Sequence, residues 1–134
     1  MIDFVVKRLS MFPESKKAVI VFPNNKDYQA VLAAPKDDYL PCIVSVQFRL
    51  LNHGKGFIMN TIFHARSIDA FQKSHGNITA IALLSEEVAK RLEKNLGKPV
   101  KVGPLNGMIT DAHIYDETIE EAKKVLKAFK KDGN

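Results

Sequence analysis

The chain has 134 residues, 46% hydrophobic and 26% charged, with a formal net charge of +5 and a single cysteine. That size bounds a single domain, residues 1–134, able to bury a core without staples, and one cysteine excludes both an internal disulfide and a sulfur-rich zinc site. Apolar runs such as Ala80 to Leu84 are far too short to cross a bilayer, and Met1 to Met11 carries no signal-peptide pattern, so no membrane is expected as partner and the expected location is the cytoplasm.

Ile2, Val5, Val6 and Leu9 recur at helical spacing, and Pro13 ends that helix because the residue before a proline avoids the helical region. Ala18 to Phe22 is a β-rich run closed by Pro23, hence a strand. Asn24 to Pro41 is expected as a long, polar, irregular loop, a type that is usually functional or disordered. Cys42 to Leu51 and Phe57 to Ala65 flank Asn52-His53-Gly54-Lys55-Gly56 and predict a hairpin. In its first strand Val44, Val46 and Phe48 should share one face, and Ile43, Ser45 and Gln47 the other.

Ile78 to Leu96 is the strongest helix, with a stripe of Ile81, Leu84, Val88 and Leu92 and a stop at Gly97. Val100 to Tyr115 is extended in character but interrupted by Gly103-Pro104 and Gly107. Asp116 can cap a last helix with the apolar face Ile119, Ala122, Val125, Leu126 and Phe129. The same helix carries Lys123, Lys124, Lys127, Lys130 and Lys131, which read as a solvated face near a helix C-terminus. A nucleic-acid surface would interleave aromatic residues with those cations, and only Phe129 stands there, so nucleic acid is not expected as a partner. Helices around an antiparallel hairpin give an α+β, or mixed α/β, domain.

Taken singly, the polar residues leave several readings open. Cys42 at a strand start is a small buried hydrophobe or a reactive thiol. His113 and Tyr115, alternating on a strand end, are structural or ligand-facing. Arg66-Ser67 is an ion pair and a turn, or a phosphate clamp. Asn77 can simply cap the long helix.

Their order carries more. Leu40-Pro-Cys-Ile-Val-Ser-Val-Gln-Phe48 resembles the nucleophile strand of the thymidylate synthase family, in which Pro-Cys leads a strand carrying Gln-Phe. Arg66-Ser-Ile-Asp-Ala-Phe71 is similar to that family's Arg-Ser-x-Asp motif, and Asn77 follows at the family's interval for its base-reading asparagine. The helix opening Ile78-Thr-Ala-Ile-Ala-Leu-Leu84 is similar too, and Asp111-Ala-His-Ile-Tyr115 matches the late Asp-x-His-x-Tyr segment. Phe12-Pro-Glu-Ser-Lys-Lys-Ala-Val-Ile20 resembles the family's Pro-x-Ser-Arg-Arg stretch, with lysines for arginines. The resemblance runs from about Arg8 to Val125.

It implies a thymidylate-synthase-like fold, a mixed, mainly antiparallel sheet with helices packed on it. It also implies one-carbon transfer, methyl or hydroxymethyl, to C5 of a uracil nucleotide such as dUMP. A folate-dependent methyltransferase of this kind takes its carbon from methylenetetrahydrofolate. Cys42 would be the nucleophile that adds at C6, with Arg66 as neighbouring cation and, with Ser67, phosphate ligand. Asn77 would read the base, accepting from N3–H and donating to O4. His113 and Tyr115 would bond the sugar hydroxyl, and Asp69 would stand near base and folate. Lys16 and Lys17 would reach the phosphate from the other subunit of a homodimer, keeping charge but losing the planar fork of arginine. No metal ligand set is implied.

The departures concern the folate half. The family's region with an essential glutamate and folate-binding aromatics has no counterpart here, nor has the apolar tail that closes over the folate. Gln72-Lys-Ser-His-Gly-Asn77 lacks the proline and phenylalanine of the family's loop, and residues are added around His53 and Gly103. Three outcomes follow: a C5 transferase, alone or completed by a separate subunit as one half of a split enzyme; a catalytically incomplete nucleotide-binding or regulatory protein; or a scaffold.

Overall fold

The computed structural model describes residues 1–34 and 40–132. Helix α1 (Ile2–Met11) buries Val5, Val6 and Leu9, as its periodicity predicts, and stops at Phe12, just before Pro13. Strand β1 (Val19–Val21) follows. The expected loop from Asn24 to Pro41 instead opens with a helix, α2 (Asn25–Ala33), while residues 35–39 of that stretch lie outside the described residues. A capping box explains it: Lys26 N–H donates to Asn24 Oδ1 at 2.9 Å, and Asn24 N–H donates to Asp27 Oδ2 at 2.7 Å. No residue of α2 is buried, which is why apolar periodicity did not announce it.

Strands β2 (Ile43–His53) and β3 (Gly56–Ala65) form the expected antiparallel hairpin. Gly54 turns it at φ +57°, the left-handed region that suits glycine. Val46 and Phe48 alternate into the core as expected and Leu50 continues the row, but Val44, expected with them, is not buried, because the alternation fails at the start of β2. A β-bulge between Ile43 and Ser45 leaves Ile43 paired with buried Ala65, so Ile43 packs on the core instead of sharing the outward face with Ser45 and Gln47.

After the short strand β4 (Ile68–Asp69), helix α3 (Ser74–Leu96) starts a turn earlier than the apolar stripe suggested. Its N-cap is Lys73, so Asn77 lies inside the helix and does not cap it. Ile81, Ser85, Val88, Ala89 and Leu92 are buried, and Gly97 ends the helix at φ +62°. The pairing of strand β5 (Val100–Ile109) with β3 slips by one residue at Gly103-Pro104, between Met59–Val102 and Thr61–Leu105, but the strand continues through the glycines expected to interrupt it. They also serve close approach: a Cβ on Gly107 would stand 2.1 Å from the Phe63 ring, and one on Gly103 2.5 Å from Ile58 Cγ2. Strand β6 (Ala112–His113), a 3₁₀ turn (Asp116–Thr118) and helix α4 (Ile119–Asp132) complete the order. Asp116 makes no side-chain cap bond; Thr118 Oγ1 donates to Tyr115 O at 3.0 Å instead.

The main sheet has the order β1-β2-β3-β5, with β1–β2 and β2–β3 antiparallel and β3–β5 parallel; β4 and β6 form a separate parallel pair. Helices α1 and α3 pack on its core face, making an α+β fold with a mixed, mostly antiparallel sheet. On the other face Val21, Ile62 and Met108 are exposed. Among the described residues no helix is long and apolar enough to cross a membrane.

Candidate functional site

One end of the sheet, where β2 begins and β3 and β5 finish, gathers the candidate residues. Cys42 immediately precedes β2 and Arg66 immediately follows β3, and the ladder extends one step past both strands: Arg66 N–H donates to Cys42 O at 2.9 Å. Ile68 N–H to Asp111 O at 2.9 Å and Ala70 N–H to His113 O at 2.8 Å then hold β4 beside β6. The start of α3 brings Asn77 to the same end.

Two cavities open here, and Cys42 lines both. The first, about 440 Å³, is polar, with Arg66, Ser67, Asp111, His113 and Tyr115 around the cysteine. The second, about 390 Å³, has an apolar wall that includes Phe22, Ile81 and Leu84, with Asn77 and Lys73 as its polar groups. The first therefore offers a guanidinium and hydroxyl groups, and the second an apolar wall with one carboxamide and one ammonium.

The Arg66 guanidinium is partly occupied. Nη2 donates to Leu40 O at 2.7 Å, Nε to Pro41 O at 3.2 Å and Nη1 to Ser67 Oγ at 3.3 Å. These bonds tether the segment leading into Cys42, and of the five guanidinium N–H donors the others stay available to an anion. The His113 ring meets Tyr115 edge-on, with centroids 4.9 Å apart. His113 Nδ1 stands 3.5 Å from Asp111 Oδ2 without forming a hydrogen bond to it.

A family model described as thymidylate synthase matches residues 1–132. The chain belongs to the thymidylate synthase family. A "Putative thymidylate synthase" of Methanothermobacter marburgensis is 28% identical over 126 residues, which cover 94% of this chain and 49% of that protein. The protein of the same description from Methanothermobacter thermautotrophicus is 27% identical over 126 residues, covering 94% and 50%. The chain thus spans about half the length of the curated relatives it matches.

Not every residue picked out by likeness to the thymidylate synthase family reaches the cavities. Lys16 and Lys17 are exposed and line neither. Gln47 Nε2 donates to Lys16 O at 2.8 Å, and the pairing of Val19 with Gln47 and of Val21 with Ser45 sets both lysines off the far end of β1 from Cys42. About 17 Å of strand separates Gln47 from the cysteine. Asp69 is 2% exposed and lines neither cavity. Its Oδ1 accepts from the N–H groups of Phe71 (3.0 Å) and Gln72 (3.1 Å), shaping the turn into α3, and its buried Oδ2 has no partner among the described residues.

Sequence reasoning passed over Lys73 and Phe22 in the apolar cavity and did not assign Asp111 in the polar one. For Lys73 a signal existed. It stands four residues before Asn77, and on a helix that spacing shares a face. Phe22 had none, since its place depends on β1 pairing with β2.

Proposed function

We propose that the chain forms the nucleotide-binding half of a pyrimidine nucleotide C5 one-carbon transferase, acting on a uracil nucleotide such as dUMP with Cys42 as nucleophile. The supporting observation is the place of Cys42 on the wall common to both cavities. Uracil C6 is bonded to N1, and N1 carries the sugar. A thiol that attacks C6 must therefore stand where the base compartment meets the sugar compartment, and Cys42 does.

In this reading Arg66 and Ser67 hold the phosphate, and His113 and Tyr115 the sugar hydroxyl. The ring lies in the apolar cavity, where Asn77 accepts from N3–H and donates to O4; an aspartate there would suit cytosine instead. Addition of the thiolate to C6 turns C5, otherwise a poor nucleophile, into one able to take a carbon. Lys16 and Lys17, remote from their own cavity, would serve the phosphate of a second copy in a homodimer. The setting is nucleotide biosynthesis in the cytoplasm.

Methylenetetrahydrofolate would supply the carbon to C5. The described residues make only part of a seat for it. Phe22 is the one aromatic ring on the apolar cavity, and Asp69 Oδ2 is the one buried carboxylate oxygen without a partner among the described residues. A subunit or segment equivalent to the half of the relatives that this chain does not match would complete it. That incompleteness favours, as a second reading, a regulatory nucleotide-binding protein.

The test is intact mass after incubation with 5-fluoro-dUMP, with and without methylenetetrahydrofolate. A covalent adduct absent from Cys42→Ala is the expected result. Saturable nucleotide binding that never yields an adduct would select the regulatory reading. No binding of any pyrimidine nucleotide would overturn both.

A further inference from the structure

Lys73 and Asn77 stand one helical turn apart at the start of α3, joined by a 3.0 Å bond from Asn77 N–H to Lys73 O. Both line the apolar cavity with Cys42. Lys73 Nζ lies 5.6 Å from the centroid of the Tyr115 ring, which lines the polar cavity. The ammonium therefore sits at the seam between the two compartments. Among the described residues Lys73 forms no ion pair, whereas Arg66, the other cation lining these cavities, is bonded to Leu40, Pro41 and Ser67. Among the described residues, the cation beside Asn77 that forms no ion pair is Lys73.

What that charge can do depends on the nucleotide reading above. When Cys42 Sγ bonds to C6, the C5=C6 π bond breaks and its electron pair moves through C4 onto O4. The thiolate's negative charge thus becomes an enolate shared between O4 and C5. Proton uptake at C5 from solvent, followed by loss of the original H5 and expulsion of the thiolate, returns the starting nucleotide with its C5 hydrogen exchanged. Asn77 offers one N–H to O4, which a neutral amide stabilises only modestly. A cation one turn away on the same helix face can reach that oxygen, and preorganised charge aimed where charge develops is the strongest form of such help.

We infer that Lys73 is a catalytic residue whose ammonium binds uracil O4 and stabilises the enolate formed when Cys42 adds to C6. The loop that carries Lys73 is also where the sequence departs from the family's pattern, so the departure supplies a group as well as removing an aromatic one.

The experiment follows loss of the H5 proton signal of dUMP in D₂O, with the dissociation constant of dUMP measured alongside. It uses the full chain, Cys42→Ala, Lys73→Met, which keeps the apolar stem, and Lys73→Arg, which keeps the charge. Lys73 is exposed and its side chain caps no backbone group, so neither replacement threatens the fold. Exchange by the unaltered chain that vanishes in Cys42→Ala secures the nucleotide reading whatever Lys73 does. On that background Lys73→Met should slow exchange at saturating dUMP by about 100-fold, the scale for removing one preorganised donor, with little change in binding, and Lys73→Arg should recover most of it. Unslowed exchange in Lys73→Met, a loss that merely follows weaker binding, or no recovery in Lys73→Arg would overturn the assignment. So would a chain that binds dUMP and never exchanges H5, and absence of dUMP binding would remove the nucleotide reading with it.

Discussion

Helices α3 and α4 are both amphipathic, yet only α3 finds cover within the described residues. Val88 and Leu92 on α3 are fully buried against the sheet and α1, whereas on α4 Val125 is 58%, Leu126 60% and Phe129 80% exposed. On the apolar side of α4 Ala122 is buried and Ile119 half-buried. A helical apolar stripe therefore predicts that a face needs covering, and says nothing about which polypeptide covers it. The same contrast divides the sheet, whose inward face is packed while Val21, Ile62 and Met108 on the outward one are bare.

Three substitutions put that contrast to measurement. Leu92→Ala should lower the free energy of unfolding by about 2–5 kcal/mol, the range for opening a cavity in a packed core. A urea titration showing a loss below about 1 kcal/mol would mean that α3 is as loosely held as α4. Gly107→Ala should come next, at about 1–3 kcal/mol, because the new methyl group meets the ring of buried Phe63. Phe129→Ala should come last, within about 0.5 kcal/mol of the unaltered chain. If it matches Leu92→Ala instead, α4 is covered in solution, and a midpoint that rises with protein concentration would identify a second copy as the cover.

Local rules explain what could be read in the residues before the fold was known. The hairpin was legible because Gly54 sits between two β-rich runs, and α3 because its stripe ends at a glycine able to adopt positive φ. Helix α2 escaped because nothing on it is buried, although Asn24 and Asp27 at capping-box spacing marked its start. The course of β5 was legible in part: the slip at Gly103-Pro104 fits the expected interruption, whereas Gly107 pairs in register and admits Phe63 of a neighbouring strand. At the candidate site, Cys42, Arg66, Ser67, His113 and Tyr115 were singled out by resemblance to the family's motifs, and they line one cavity. Asp69 shares that family motif but is occupied with backbone N–H groups, a use that only the turn geometry reveals.

The bulge near the start of β2 sets the parity of everything before it. Counting back by twos from Val46 and Phe48 would assign Cys42 to the hydrophobic interior. The extra residue inverts that count, so Ile43 takes the inward position and Cys42 falls on the cavity wall it shares with Arg66. Deleting Val44 would remove the bulge yet keep Ile43 opposite Ala65 and Cys42 one step beyond it, so the side on which the cysteine falls would survive the loss.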